Sequence, residues 1–128
     1  VVFAHRCSTH LIQNGLSQKP TAPDGWRSEG LDELKEHGPI AHDRAALNQT
    51  MRFEVGVSRR FLRLQRAIRR LRLLEKEIDT IWKSSLPSRE IVELRNMILV
   101  GILVAEDANR RDENRGLHYN KDLVRDDE

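Results

Sequence analysis

The chain has a single cysteine, few aromatics and no long apolar run, and each shortage removes a class of protein. With only Cys7 there is no internal disulfide, which suits a reducing compartment. No stretch approaches about 18 continuous apolar residues, so no membrane-spanning helix is expected. The opening "VVFA" is too short for a signal-peptide core. Gly15, Gly25, Gly30, Gly38, Gly56, Gly101 and Gly116 form neither a GxGxxG nor a Walker pattern, so no dinucleotide or phosphate cradle is encoded. Aromatics make up 5% of the residues, and the basic run described below contains just Phe61, which falls on the apolar stripe of its helix. The net charge of +2 implies no polyanionic partner by itself, so the distribution of charge matters more.

What remains is the composition of one helical domain. The 128 residues suffice for a single core. Charged residues are 33%, and Leu, Ile, Arg and Glu dominate the second half, which favours helix over sheet. Three zones follow. Residues 1–12, "VVFAHRCSTHLI", read as the last turns of a helix that belongs to something upstream. The chain opens without methionine in an apolar run, as the cut end of a longer protein would. Residues 13–40 hold three of the four prolines and four of the seven glycines and read as a linker. A short helical turn is expected there at "LDELKEH". Residues 41–122 read as helical, and 123–128 as a frayed acidic tail.

Within the helical zone the periodicity predicts three helices. The first starts with Asp43 as N-cap, carries Leu47, Met51 and Val55 on one stripe, and ends near Gly56 to Ser58. The second runs from about Arg59 to Lys83 on Phe61, Leu64, Ile68, Leu71, Leu74, Ile78 and Ile81. Pro87 breaks it, and Ser88 caps the third helix. Ile91, Leu94, Ile98, Ile102 and Ala105 form the main stripe of that helix. Met97, Leu99, Val100, Leu103 and Val104 widen the stripe almost all round, the mark of a helix buried on more than one side. The expected fold is all-α, an up-down-up three-helix bundle of spectrin-repeat type, preceded by a short helix and a long linker. Each fully buried Leu or Ile contributes roughly 1.5–3 kcal/mol before entropy is counted, so a dozen such positions can hold it together.

Candidate chemistry is sparse. His5 and His10 are five residues apart, as are His37 and His42, and on a helix that spacing turns the rings about 140° from one another. Neither pair converges on a metal. Cys7 lacks a base and an oxyanion hole in sequence, and reads as a buried small thiol. Arg59, Arg60, Arg63, Arg66, Arg69, Arg70 and Arg72 crowd the second helix, with Arg59, Arg63, Arg66 and Arg70 on one face. Such a stripe could track nucleic-acid phosphates, could be neutralised by acids such as Glu75, Glu77 and Asp79, or could dock on an acidic surface of an attached domain. The remaining polar cluster is "NRRDENRGLHYN", Asn109 to Asn120. Gly116 suits a turn that releases the chain from the helix, Arg110, Arg111 and Arg115 suit its negative end, and His118 could serve as an acid or base. With no partner for it inside the chain, the cluster reads as a polar seam.

At these residues the chain resembles a known family. "RRDENRGLHYNKD" (Arg110–Asp122), "VELRNM" (Val92–Met97) and "VGVSRRFLRLQRAIRRL" (Val55–Leu71) are similar to the C-terminal helical region of the L-aspartate oxidases. These are flavoenzymes related to the flavoprotein subunits of succinate dehydrogenase and fumarate reductase. "VVFAHRC" (Val1–Cys7) resembles the helix that closes their flavin-binding domain. Leu117 in "RGLHY" favours the aspartate oxidase branch, because the succinate branch more usually reads Arg-Gly-Ala-His, and the short tail agrees. The family commonly continues with Asp-Tyr-Pro, whereas here Asp122 is followed by Leu123 and Val124.

The resemblance implies a cytoplasmic FAD-dependent oxidoreductase that converts L-aspartate to iminoaspartate, with oxygen or fumarate as electron acceptor. The product feeds quinolinate synthase in NAD biosynthesis. It also implies that this chain is a bundle packed on a flavin-binding domain lying upstream of Val1. No catalytic, cofactor-binding or metal-binding residue carries over, and the chain by itself is expected to be inactive and without FAD. Arg59, Arg111, Arg115, His118 and Tyr119 are the expected interface residues, with no membrane span and no nucleic acid involved. The alternative is a helical nucleic-acid-binding module that uses the Arg59 to Arg72 stripe.

Overall fold

The computed structural model describes residues 1–15, 21–25 and 28–124. Parts of the expected linker and the end of the expected tail, residues 16–20, 26–27 and 125–128, lie outside the described residues. Among the described residues the fold is all-α apart from one minimal strand pair. Its elements are α1 (Val2–Asn14), α2 (Gly38–Thr50), β1 (Ser58–Arg59), α3 (Phe61–Ser84), α4 (Arg89–Arg110) and β2 (Tyr119–Asn120). A π-helical turn, Met51–Val55, prolongs α2, and a 3-10 turn, Lys121–Leu123, follows β2. No helix among the described residues is long and apolar enough to cross a membrane.

Helices α3 and α4 form a hairpin across the Pro87 break. Ser88 caps α4 as its sequence indicates, the Ser88 hydroxyl accepting from the Ile91 amide. Ion pairs fix the directions. Arg72 meets Glu106 and Arg95 meets Asp79, so α3 and α4 run antiparallel. His37 meets Glu90 and Arg44 meets Glu93, so α2 runs alongside α4 in the same sense. The result is up-down-up, with a shorter helix laid over a long hairpin. The shared core contains Leu47 of α2, Leu64, Leu71 and Ile78 of α3, and Ile91, Leu94, Ile98 and Ile102 of α4. Gly101 lets the helices close up: a Cβ there would lie 3.3 Å from Met51 Sδ and 3.4 Å from Leu47 Cδ1.

Several expectations need correction. The first bundle helix starts at Gly38, five residues before Asp43, because Pro39 occupies its first turn, where a missing N–H is harmless. Its end is π-wound, so the stepping of Leu47, Met51 and Val55 does not follow one α-helical stripe. The "LDELKEH" segment is not helical. Asp32 bridges instead to Ser85 in the hairpin turn, with the Leu86 amide donating to the Asp32 carbonyl at 2.8 Å and Leu34 packed on the core. Cys7 is exposed rather than buried, because α1 buries none of its residues within this chain. Finally, Leu99, Val100, Leu103 and Val104 stand on the open side of α4, each at least 41% exposed, so the described residues bury only one side of the helix.

Candidate functional site

The last segment of the chain is bound to the start of α3, and this junction builds the site. The π-helical turn closes with the Gly56 amide donating to the Met51 carbonyl at 2.9 Å. A Cβ on Gly56 would sit 2.8 Å from the Arg52 carbonyl oxygen, so glycine is needed there by close approach. The chain then extends into β1, which pairs in parallel with β2, Ser58 opposite Tyr119 and Arg59 opposite Asn120. Two residues on, Asp122 caps α3 from 61 positions away. Its Oδ2 accepts from the Phe61 amide at 2.8 Å, and its Oδ1 accepts from Arg60 Nη1 at 2.8 Å. A carboxylate at a helix N-terminus satisfies an orphan amide and opposes the positive end of the helix dipole.

The loop between α4 and β2 holds itself in shape. Asn120 is fully buried; its amide donates to Asn114 Oδ1 at 2.7 Å and its carbonyl accepts from Asn114 Nδ2 at 3.1 Å. Gly116 turns the chain at a φ of 62°, and the His118 amide donates to the Arg115 carbonyl across that turn. The turn lies beyond the end of α4 at Arg110, so Gly116 shapes the loop and is not the helix cap.

His118 is the centre of the arrangement, 6% exposed in all. Arg59 reaches it from β1: its Nε donates to the Val55 carbonyl at 2.9 Å and its Nη1 to His118 Nδ1 at 2.8 Å. A guanidinium has only donors, so Nδ1 is the acceptor and the imidazole proton sits on Nε2. Burial pushes the His118 pKa below the ordinary histidine range. The Arg59 and Arg111 charges push the same way, and Asp107 opposes them. The lowered pKa favours the neutral ring, and its buried Nε2–H has no partner among the described residues.

Beside His118 opens a groove of about 470 Å³, bordered by Arg59, Arg111 and Arg115 and floored by Leu103, Val104 and Ala108. Arg111 pairs with Asp107 at 3.2 Å and Arg115 with Glu113 at 3.9 Å, both in the open. Of the five expected interface residues, four line this groove; Tyr119 lies next to it on β2 and is 45% exposed.

The basic stripe of α3 has a different environment. Arg63, Arg66 and Arg70 converge on Glu54 of the π-helical turn, at 3.7, 2.8 and 3.6 Å, with the Glu54 side chain 10% exposed. Arg72 is shared between Glu75 and Glu106. The arginines on this face thus hold the bundle together, which leaves a phosphate-tracking role unsupported. Glu54, Asp122, Asn114 and Asn120 were not apparent as site residues in the sequence. For Glu54 a signal existed: an acid in an otherwise apolar stretch, ahead of three arginines on one face. The other three act across turns or long separations that periodicity does not report.

Comparison with known proteins matches this architecture. A family model described as the fumarate reductase flavoprotein C-terminal region matches residues 44–128. The chain is 40% identical over 122 residues to an L-aspartate oxidase of Pseudomonas aeruginosa, a match that covers 94% of this chain and 23% of that protein. It is 37% identical over 113 residues to the L-aspartate oxidase of Yersinia pestis, covering 84% and 21%. A chloroplastic L-aspartate oxidase of Arabidopsis thaliana is 34% identical over 85 residues, 62% of this chain and 13% of that protein. The chain spans about a fifth of the length of its bacterial relatives. The bundle, its latched C-terminal loop and these matches together place the chain in the fumarate reductase flavoprotein C-terminal family.

Proposed function

We propose that the chain is the C-terminal helical domain of a cytoplasmic, FAD-dependent L-aspartate oxidase, which oxidises L-aspartate to iminoaspartate for quinolinate synthase to use in NAD biosynthesis. The observation that carries this reading is the 40% identity to such an oxidase across nearly the whole chain. Residues 1–12 then end the flavin-binding domain, 13–40 link, and 41–122 dock back onto it. The starts of the two long helices are already occupied. The N-terminus of α3 is filled by Asp122 and that of α4 by Ser88, so neither offers open amides to a pyrophosphate. The flavin belongs to the preceding domain, and no catalytic step is assigned to this chain.

The docking face is the open side of α4. Leu99, Val100, Leu103 and Val104 form a contiguous apolar strip on a helix whose opposite side fills the core. Such a strip running into a polar seam has the make-up of an interface within a larger chain. The test is to supply the flavin-binding part and this chain as separate polypeptides. Association should restore aspartate-dependent reduction of the flavin, and a Leu99→Glu/Leu103→Glu chain should keep its helicity and lose association. Full association by that folded double variant refutes the docking face. In the full-length enzyme, a His118→Ala change that cut turnover severely with flavin affinity and stability intact would instead put His118 in the chemistry.

A further inference from the structure

We propose that the groove at His118 is a carboxylate-receiving site, filled in the longer protein by an acidic side chain of the part that precedes this chain. The inference rests on the docking reading above and specifies its chemistry. Three observations point the same way. The wall is electropositive, with Arg59, Arg111 and Arg115 facing Asp107 as the acid among the described lining residues. His118 is more than nine-tenths buried and carries a donor, Nε2–H, that nothing among the described residues accepts. The floor, Leu103 and Val104, continues the apolar strip of α4, so an acid arriving there comes flanked by apolar contacts.

The arrangement selects an anion with acceptor oxygens. His118 is held as a donor by Arg59, which occupies the other ring nitrogen. Arg111 and Arg115 present planar forks suited to a carboxylate. Their present counterions are close in sequence, and the two side chains are 47% and 83% exposed, so each can turn inward toward a better partner. A carboxylate seated between them takes up the surplus charge and the orphan donor together.

The test has two arms. In the first, the 128-residue chain is titrated with acetate and, at equal ionic strength, with chloride, while the His118 ring and the Arg111 and Arg115 side chains are followed by NMR. Acetate should shift these signals saturably and chloride should not. An Arg111→Gln/Arg115→Gln chain should weaken the response at least tenfold. Equal responses to the two anions, or acetate shifts confined to the arginines around Glu54, overturn the site. In the second arm, the wild-type and double-variant chains are mixed with the separate flavin-binding part. Weaker association by the variant supports the proposal. Equal association by both overturns the carboxylate contact and leaves docking intact. If the wild-type chain fails to associate, docking by this face falls and the intramolecular source of the acid falls with it, whatever acetate does.

Discussion

Glu54→Gln should destabilise the bundle more than neutralising an exposed carboxylate such as Glu77. The substitution keeps size and shape and removes one charge. Three guanidiniums lie within 3.7 Å of the Glu54 carboxylate, whose side chain is 10% exposed, while the arginine side chains are 39–56% exposed. An exposed pair contributes about 0.2–1 kcal/mol, and a fully buried pair broken on one side costs about 3–5 kcal/mol. With the acid buried and the bases half-solvated, the three contacts together fall between, at about 1.5–3 kcal/mol. Loss of the acid also leaves three like charges adjacent on one helical face. For a domain of this size, that corresponds to a fall in Tm on the order of 10 °C. Urea unfolding followed by helical circular dichroism measures it, with Glu77→Gln as the exposed control, expected within about 0.5 kcal/mol of wild type. Salt should shrink the Glu54→Gln deficit without abolishing it, since buried charges are screened less than exposed ones. A deficit no larger than that of the control, or one that vanishes in high salt, would refute the claim that Glu54 organises the arginine face.

Three further outcomes are expected. Asp122→Ala removes the Phe61 cap and the Arg60 pair and should cost about 1–2 kcal/mol by urea unfolding, with hydrogen exchange accelerated first in the opening turn of α3. His118 has a folded pKa below its unfolded value, so the folded state binds fewer protons, and stability present above about pH 6.5 should be lost as pH falls through the folded value. His118→Gln should flatten that part of the stability curve; the loss from Glu93, whose pKa is lowered by Arg89 and Arg44, begins only below its ordinary value of 4.5. Leu71→Asp places a charge at a fully buried core position and should abolish cooperative unfolding, so an unchanged melting curve would contradict the helix register.

The long elements were legible because burial leaves a period. The stripe from Leu64 to Ile78 and the one from Ile91 to Ala105 are the core in the structure. Pro87 and Ser88 marked the turn between them by simple chain chemistry. The first bundle helix was misplaced because Asp43 looked a better cap than the Gly38-Pro39 start, and its π-wound end breaks the spacing on which such readings depend. The open side of α4 was read as buried: its residues are apolar, but the described residues supply nothing to cover them. The residues of the seam could be picked out by type, yet its joinery could not. A two-residue strand pair has no detectable alternation, and the contact of Asp122 with Phe61 crosses 61 positions.

The strand pair and the Asp122 cap also set an order of assembly. A chain emerging from the ribosome can wind α3 and α4 as soon as both are made, because their contacts are short in sequence. The amide of Phe61 and the edge of Ser58 must wait, however, for Tyr119 to Asp122 to be synthesised. The helix that begins the hairpin is thus finished by a residue 61 positions after its first amide, and a product ending before Tyr119 would carry the spine of the fold without its clasp.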